Sequence, residues 1–86
     1  MRTIWKYNLK MTGTSQVLKM PEEVLFLAVG SQRGVVCMWV ELVEADESVE
    51  RTFTVVGTGW LIKDGYIHIG TVQMEEYVWH VYEKNG

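Results

Sequence analysis

The stretch Val24 to Val43, VLFLAVGSQRGVVCMWVELV, decides the fold. It consists of two apolar runs of strand length joined by Gln32-Arg33-Gly34, a pattern that predicts a central β-hairpin. With a three-residue loop in which Gly34 takes the left-handed position of a bulge, Ser31 pairs with Val35. Val29, Leu27 and Leu25 then stand opposite Cys37, Trp39 and Glu41 on one face, and Ala28, Phe26 and Val24 meet Met38, Val40 and Leu42 on the other. Both faces are apolar, whereas a hairpin with one wet side alternates apolar with polar residues. Such a hairpin has to be covered twice, once by the rest of its own chain and again by a curled sheet edge, a helix or another subunit.

Outward from the hairpin, the flanking segments alternate on one side only. Thr3 to Met11 places Thr3, Trp5, Tyr7, Leu9 and Met11 on one face and Ile4, Lys6, Asn8 and Lys10 on the other, a strand with one solvated side. Arg2, Lys6 and Lys10 form a basic stripe there, of the kind that blocks strand addition at a sheet edge. Gln16 to Met20 reads as a short second strand ending at Pro21. Glu50 to Val56 alternates Arg51, Phe53 and Val55 against Thr52 and Thr54 and is closed by Gly57-Thr58-Gly59. Trp60 to Ile62 and Tyr66 to Val72 flank Lys63-Asp64-Gly65, where Asp64-Gly65 signals a type I′ hairpin. A last hairpin pairs the second of these with Tyr77 to Glu83 across Gln73 to Glu76. The expected fold is all-β: a small antiparallel barrel or sandwich of about six or seven short strands, with residues 1–86 forming one β domain.

Composition narrows the function classes. A chain of 86 residues buries roughly 60 to 65% of the surface its unfolded form exposes, so its stability margin is small and oligomerisation would help it. Eight Lys and Arg against eleven Asp and Glu give a formal charge of −3, which argues against a general nucleic-acid binder that works by neutralising phosphates. No run approaches the ~20 apolar residues of a membrane span, and MRTIWKYNLK lacks the apolar core of a secretory signal, so a cytoplasmic location is expected. Two histidines, His68 and His80, and one cysteine, Cys37, fall short of a zinc signature, and Cys37 sits mid-strand in the setting of a small buried hydrophobe. Neither a metal, a cofactor nor catalysis is expected.

Two local constellations have a chemical rationale. In Gly57-Thr58-Gly59, two glycines flank a hydroxyl and can form a small nest of N–H groups for an anion. Arg51 on the preceding strand and Trp60 just after the turn complete a candidate ligand site of Arg51, Gly57, Thr58, Gly59 and Trp60, with phosphate held by amides and guanidinium and a base stacked on the indole. The second is acidic: Glu44, Asp46, Glu47 and Glu50, together with Glu41, form an exposed run suited to a basic protein partner.

Seven segments, Thr3-Ile4-Trp5-Lys6-Tyr7, Met20-Pro21, Cys37-Met38-Trp39, Arg51-Thr52-Phe53, Gly57-Thr58-Gly59, Ile69-Gly70-Thr71 and Val78-Trp79-His80-Val81-Tyr82-Glu83, together resemble a family of small uncharacterised proteins recurrent in tailed phages and prophages. The resemblance spans nearly the whole chain and brings no assigned activity. Where relatives often carry a histidine directly after the glycine-threonine-glycine turn, this chain has Trp60. The resemblance implies a phage context, an infected bacterial cell, and an accessory factor that binds and disables a host component. The resulting expectation is a non-enzymatic binding protein that forms a homo-oligomer. It either sequesters a small nucleotide signal of host immunity or blocks a host defence protein through the acidic segment and a sheet surface.

Overall fold

The computed structural model describes residues 1–85. Seven strands form: β1 (Arg2–Leu9), β2 (Gln16–Pro21), β3 (Leu25–Gln32), β4 (Val35–Val43), β5 (Ser48–Gly57), β6 (Tyr66–Met74) and β7 (Tyr77–Lys84). All pairings are antiparallel, in a three-stranded sheet of order β1-β4-β3 and a four-stranded sheet of order β2-β5-β7-β6. The expected all-β architecture is present as a sandwich of two sheets, and it does not close into a barrel. Among the described residues no helix is long and apolar enough to cross a membrane.

The hairpin of β3 and β4 departs from expectation at its tip. Gln32 pairs with Val35, so the loop has two residues, Arg33 and Gly34, with φ of 53° and 75°. Two successive left-handed residues are what a type I′ turn needs, and its twist matches the strands better than the expected three-residue loop. Val29 therefore faces Met38 and Ala28 faces Trp39, one residue away from the expected register. A β-bulge between Phe26 and Ala28 absorbs the slip, and the expected pairs Phe26–Val40 and Leu25–Glu41 are regained beyond it.

β4 lies between β1 and β3, and one of its faces supplies Val36, Met38, Val40 and Leu42 to the core. Leu9 of β1 joins them from the same sheet, and Met20, Phe53, Val55 and Val81 oppose them from the other. Phe26 meets Phe53 edge-on, with ring centroids 6.0 Å apart. On one flank the edges of β3 and β6 close up so tightly that a Cβ on Gly70 would lie 2.5 Å from Val29 Cγ2. On the other flank the Tyr7 hydroxyl donates to the Lys19 carbonyl at 3.1 Å, and the Gln16 amide both accepts from Lys10 N–H and donates to Lys10 C=O at 2.9 Å.

The segment after β5 corrects a second expectation. No strand forms over Trp60 to Ile62, and Asp64-Gly65 does not close a hairpin, since Gly65 has φ 87° while Asp64 lies outside the left-handed region. Both β5 and β6 pair antiparallel with β7, so they run in the same direction on either side of it. Residues 58–65 must carry the chain from one end of the sheet back to the other, which a two-residue hairpin turn cannot do.

Candidate functional site

Arg51 is the part of the expected ligand site most fully committed to structure. Its Nε and Nη2 donate to the two oxygens of Glu83 at 2.5 and 2.8 Å, and Nη1 donates to the carbonyls of Pro21 and Glu22 at 3.2 and 2.9 Å. Four of its five N–H groups are thereby used. The guanidinium also lies over the Phe26 ring, 5.3 Å from its centre. It therefore ties β5 to β7, to the β2–β3 connection and to β3. Arg51 and Gly57 stand near opposite ends of β5, about 20 Å apart at strand rise.

The turn is likewise closed on itself. Thr58 N–H donates to the Val78 carbonyl at 3.3 Å and Trp60 N–H to the Gly57 carbonyl at 3.1 Å, so two of the amides that an anion nest would present are taken. Gly59, with φ 92°, supplies the left-handed residue at the third position of that turn. Gly57 is required by packing: a Cβ there would come within 3.2 Å of the Trp60 indole, and one on Gly13 within 3.0 Å. Trp60 fills this notch and meets Trp79 edge-on at 5.5 Å, with 46% of its surface exposed. The structure thus brings Gly57, Thr58, Gly59 and Trp60 together and keeps Arg51 away from them.

Of the acidic residues, Glu41 sits on β4 and accepts from Arg2 Nη1 at 2.9 Å. Glu44, Asp46 and Glu47 occupy the exposed β4–β5 connection, where Asp46 N–H donates to the Val43 carbonyl at 3.0 Å. Glu50 lies further on, opposite Lys19 in the four-stranded sheet, and so is separated from the others.

The same end of the molecule carries the surface that sequence reasoning expected to be covered. The outer face of the three-stranded sheet bears Ile4 and Leu25 on either side of Glu41, with Trp39 one step along β4. Ile4 is 56% and Leu25 58% exposed, and Leu27 at the bulge is 42% exposed. Cys37 on this face is fully buried, its thiol donating to Asn8 Oδ1 at 3.3 Å, and Trp39 lies so close to Gly30 that a Cβ there would meet its ring at 3.0 Å. Lys6 Nζ reaches the Gln32 amide oxygen at 2.8 Å, tying the two edge strands together. The sheet covers part of its outer face with its own indole and leaves the rest apolar and open. The apolar character and its junction with the acidic connection beside Leu25 and Glu41 were legible in the hairpin; the place of Ile4 there was not, because that depends on where β1 docks.

A polar chain unforeseen in the sequence runs across the outer face of the other sheet. His80 Nε2 and Thr58 Oγ1 are 2.9 Å apart, His80 Nδ1 and Thr71 Oγ1 2.9 Å, and Thr71 Oγ1 and His68 Nε2 2.8 Å. One assignment satisfies the whole chain with neutral rings: Thr71 donates to His80 Nδ1 and accepts from His68, while His80 Nε2–H donates to Thr58. This ties Thr58, at the start of the 58–65 segment, to β7 and β6. Cys37 and these histidines occupy opposite outer faces of the sandwich, so they do not form a nucleophile–base pair. Among the described residues no group of three or more His, Cys, Asp or Glu is arranged to hold a metal ion.

No curated protein and no solved structure matches the chain. One family model does, over residues 1–86, and by its description this chain belongs to DUF7352, a domain of unknown function.

Proposed function

We propose that this chain is a non-catalytic protein-binding module whose contact surface is the outer face of the three-stranded sheet. One observation carries the proposal: Ile4, Leu25 and Leu27 are 56, 58 and 42% exposed around Trp39 on a face that no other element among the described residues covers. Scattered exposed hydrophobes are ordinary, but a group of them on one sheet face, with the Arg2–Glu41 ion pair set among them, has the mixed apolar and charged make-up of an interface. The acidic connection of Glu44, Asp46 and Glu47 follows β4 at the end where Ile4 and Leu25 lie, so the preferred partner is a protein with an apolar centre and a basic margin. In keeping with the resemblance to phage and prophage proteins, the proposed partner is a defence protein of a bacterial host, and the proposed outcome is its blocking. In the partner's absence the same face is where the homo-oligomer forms.

Nucleotide sequestration, the other expectation, lacks an assembled phosphate site: Arg51 is held by Glu83, and the amides of Thr58 and Trp60 are engaged. Two measurements separate the readings. Thermal shift against cyclic and ADP-ribose-type nucleotides is expected to give no stabilisation. Affinity capture from bacterial lysate is expected to recover a host protein that is lost when Glu44, Asp46 and Glu47 are neutralised together. Stabilisation by a nucleotide, with no such protein recovered, would reverse the assignment.

A further inference from the structure

A hollow of about 790 Å³ lies between the four-stranded sheet and the segment that crosses from β5 to β6. Its walls are Gly13, Thr14 and Ser15 of the β1–β2 connection, Thr54 and Val56 of β5, Leu61, Ile62 and Lys63 of the crossing segment, and Tyr66 of β6. We infer that this hollow binds a small amphipathic monoanion, an aromatic or alicyclic body bearing one carboxylate, sulfonate or phosphodiester, independently of the protein-binding face.

Size, lining and charge each support the assignment. The volume is that of a small-molecule site, and the lining combines an apolar side, Val56, Leu61 and Ile62, with a few polar groups, as such sites do. Leu61 is 97% exposed and Ile62 40% exposed at the lip, and a ligand body seated in the hollow would cover the apolar surface left open there. Ser15 Oγ and Tyr66 Oη are 2.7 Å apart, and since one hydroxyl proton serves that bond, the other remains free to donate to an anion. Thr54 Oγ1 already donates to the Thr14 carbonyl at 3.3 Å, which holds the floor in place. Among the described lining residues Lys63 alone is charged; Asp64, next in sequence, does not line the hollow. A single cation at the rim of an apolar site selects a single negative charge on the ligand. Gly59 and Gly65, with φ of 92° and 87°, bracket the crossing segment and give it the backbone freedom to settle on a ligand.

The probe is 8-anilinonaphthalene-1-sulfonate, one aromatic body with one sulfonate, titrated into the ¹⁵N-labelled protein with N-phenyl-1-naphthylamine as its uncharged counterpart. Saturable amide shifts confined to 13–15, 54–56, 61–63 and 66 are expected for the sulfonate. Lys63→Glu is expected to weaken its binding about tenfold, the scale of reversing one unit charge near the ligand, and to leave the uncharged probe unaffected. Leu61→Ser weakens both. Both residues are exposed, so the variants keep the fold. Shifts mapping to Ile4, Leu25 and Trp39, no saturation at millimolar probe, or equal sulfonate affinity in the Lys63→Glu variant would each overturn the inference. Absent saturation, or equal affinity in the Lys63→Glu variant, leaves the proposed protein-binding face untouched, whereas shifts at Ile4, Leu25 and Trp39 would show the probe seated on that face instead.

Discussion

Arg51 and Glu83 are 17 and 15% exposed at their side chains, and the pair is bidentate. Replacing Arg51 with Met keeps the stem over Phe26 but leaves the Glu83 carboxylate without its partner and two backbone carbonyls without their donors. We expect a loss of about 2 to 4 kcal/mol in urea unfolding, much of it recovered when Glu83→Gln is added. Gly70→Ala is a second test at this scale: its Cβ collides with Val29, so about 1 to 3 kcal/mol should be lost and partly regained with Val29→Ala. Tyr7 adds a pH dependence, because burial raises its pKa above 10.0. The folded state holds that proton more tightly than the unfolded chain, so the associated stability is intact below pH 10 and falls as pH rises through the folded value. Tyr7→Phe should flatten that alkaline part of the stability curve. Sequence reasoning singled out Arg51 and Gly57 as chemically suggestive, and both are explained by packing. Glu83, the bidentate partner of Arg51, and Gly13, on which Trp60 also docks, are both far off in sequence, and local pattern carries no trace of either.

Among the elements, the β3–β4 hairpin was the most legible and its tip the least. Apolar runs of strand length and the turn residues between them identified both strands, but a loop containing Gln32-Arg33-Gly34 admits two registers that differ by one residue. The two-residue turn prevails at the tip, and the bulge at Leu27 restores the other register beyond it. Arg33 with φ 53° is an unfavoured residue for the left-handed region, where Asn is tolerated better. Arg33→Asn should therefore stabilise the protein by about 0.5 kcal/mol, and Gly34→Ala should destabilise it by about 1 kcal/mol, both read as shifts in thermal midpoint. The three-residue loop, which leaves Arg33 outside the left-handed region, predicts no gain from Asn. The 58–65 segment misled for a different reason. Asp64-Gly65 is a genuine turn signal, but a turn dipeptide does not report whether its flanking segments pair, and here they are separated by β7.

For the whole molecule, the sequence required that the central hairpin be covered on two faces, and the sandwich covers one of them. What remains is the apolar field of Ile4, Leu25, Leu27 and Trp39 beside the acidic connection. Fully burying a Leu or Ile side chain contributes about 1.5 to 3 kcal/mol, so a few such residues provide an interface core. Light scattering after size exclusion at tens of micromolar is expected to give about twice the 9.9 kDa chain mass, falling to the single-chain value for Leu25→Asp. That this face is a contact surface is tested most directly by comparing baits in affinity capture from bacterial lysate. Wild type and Leu61→Ser should recover the same host protein in equal amount, while Leu25→Asp recovers about tenfold less, the loss expected from replacing an apolar contact with a second carboxylate beside Glu41. Equal recovery by all three baits, or loss on Leu61→Ser with retention on Leu25→Asp, would contradict it.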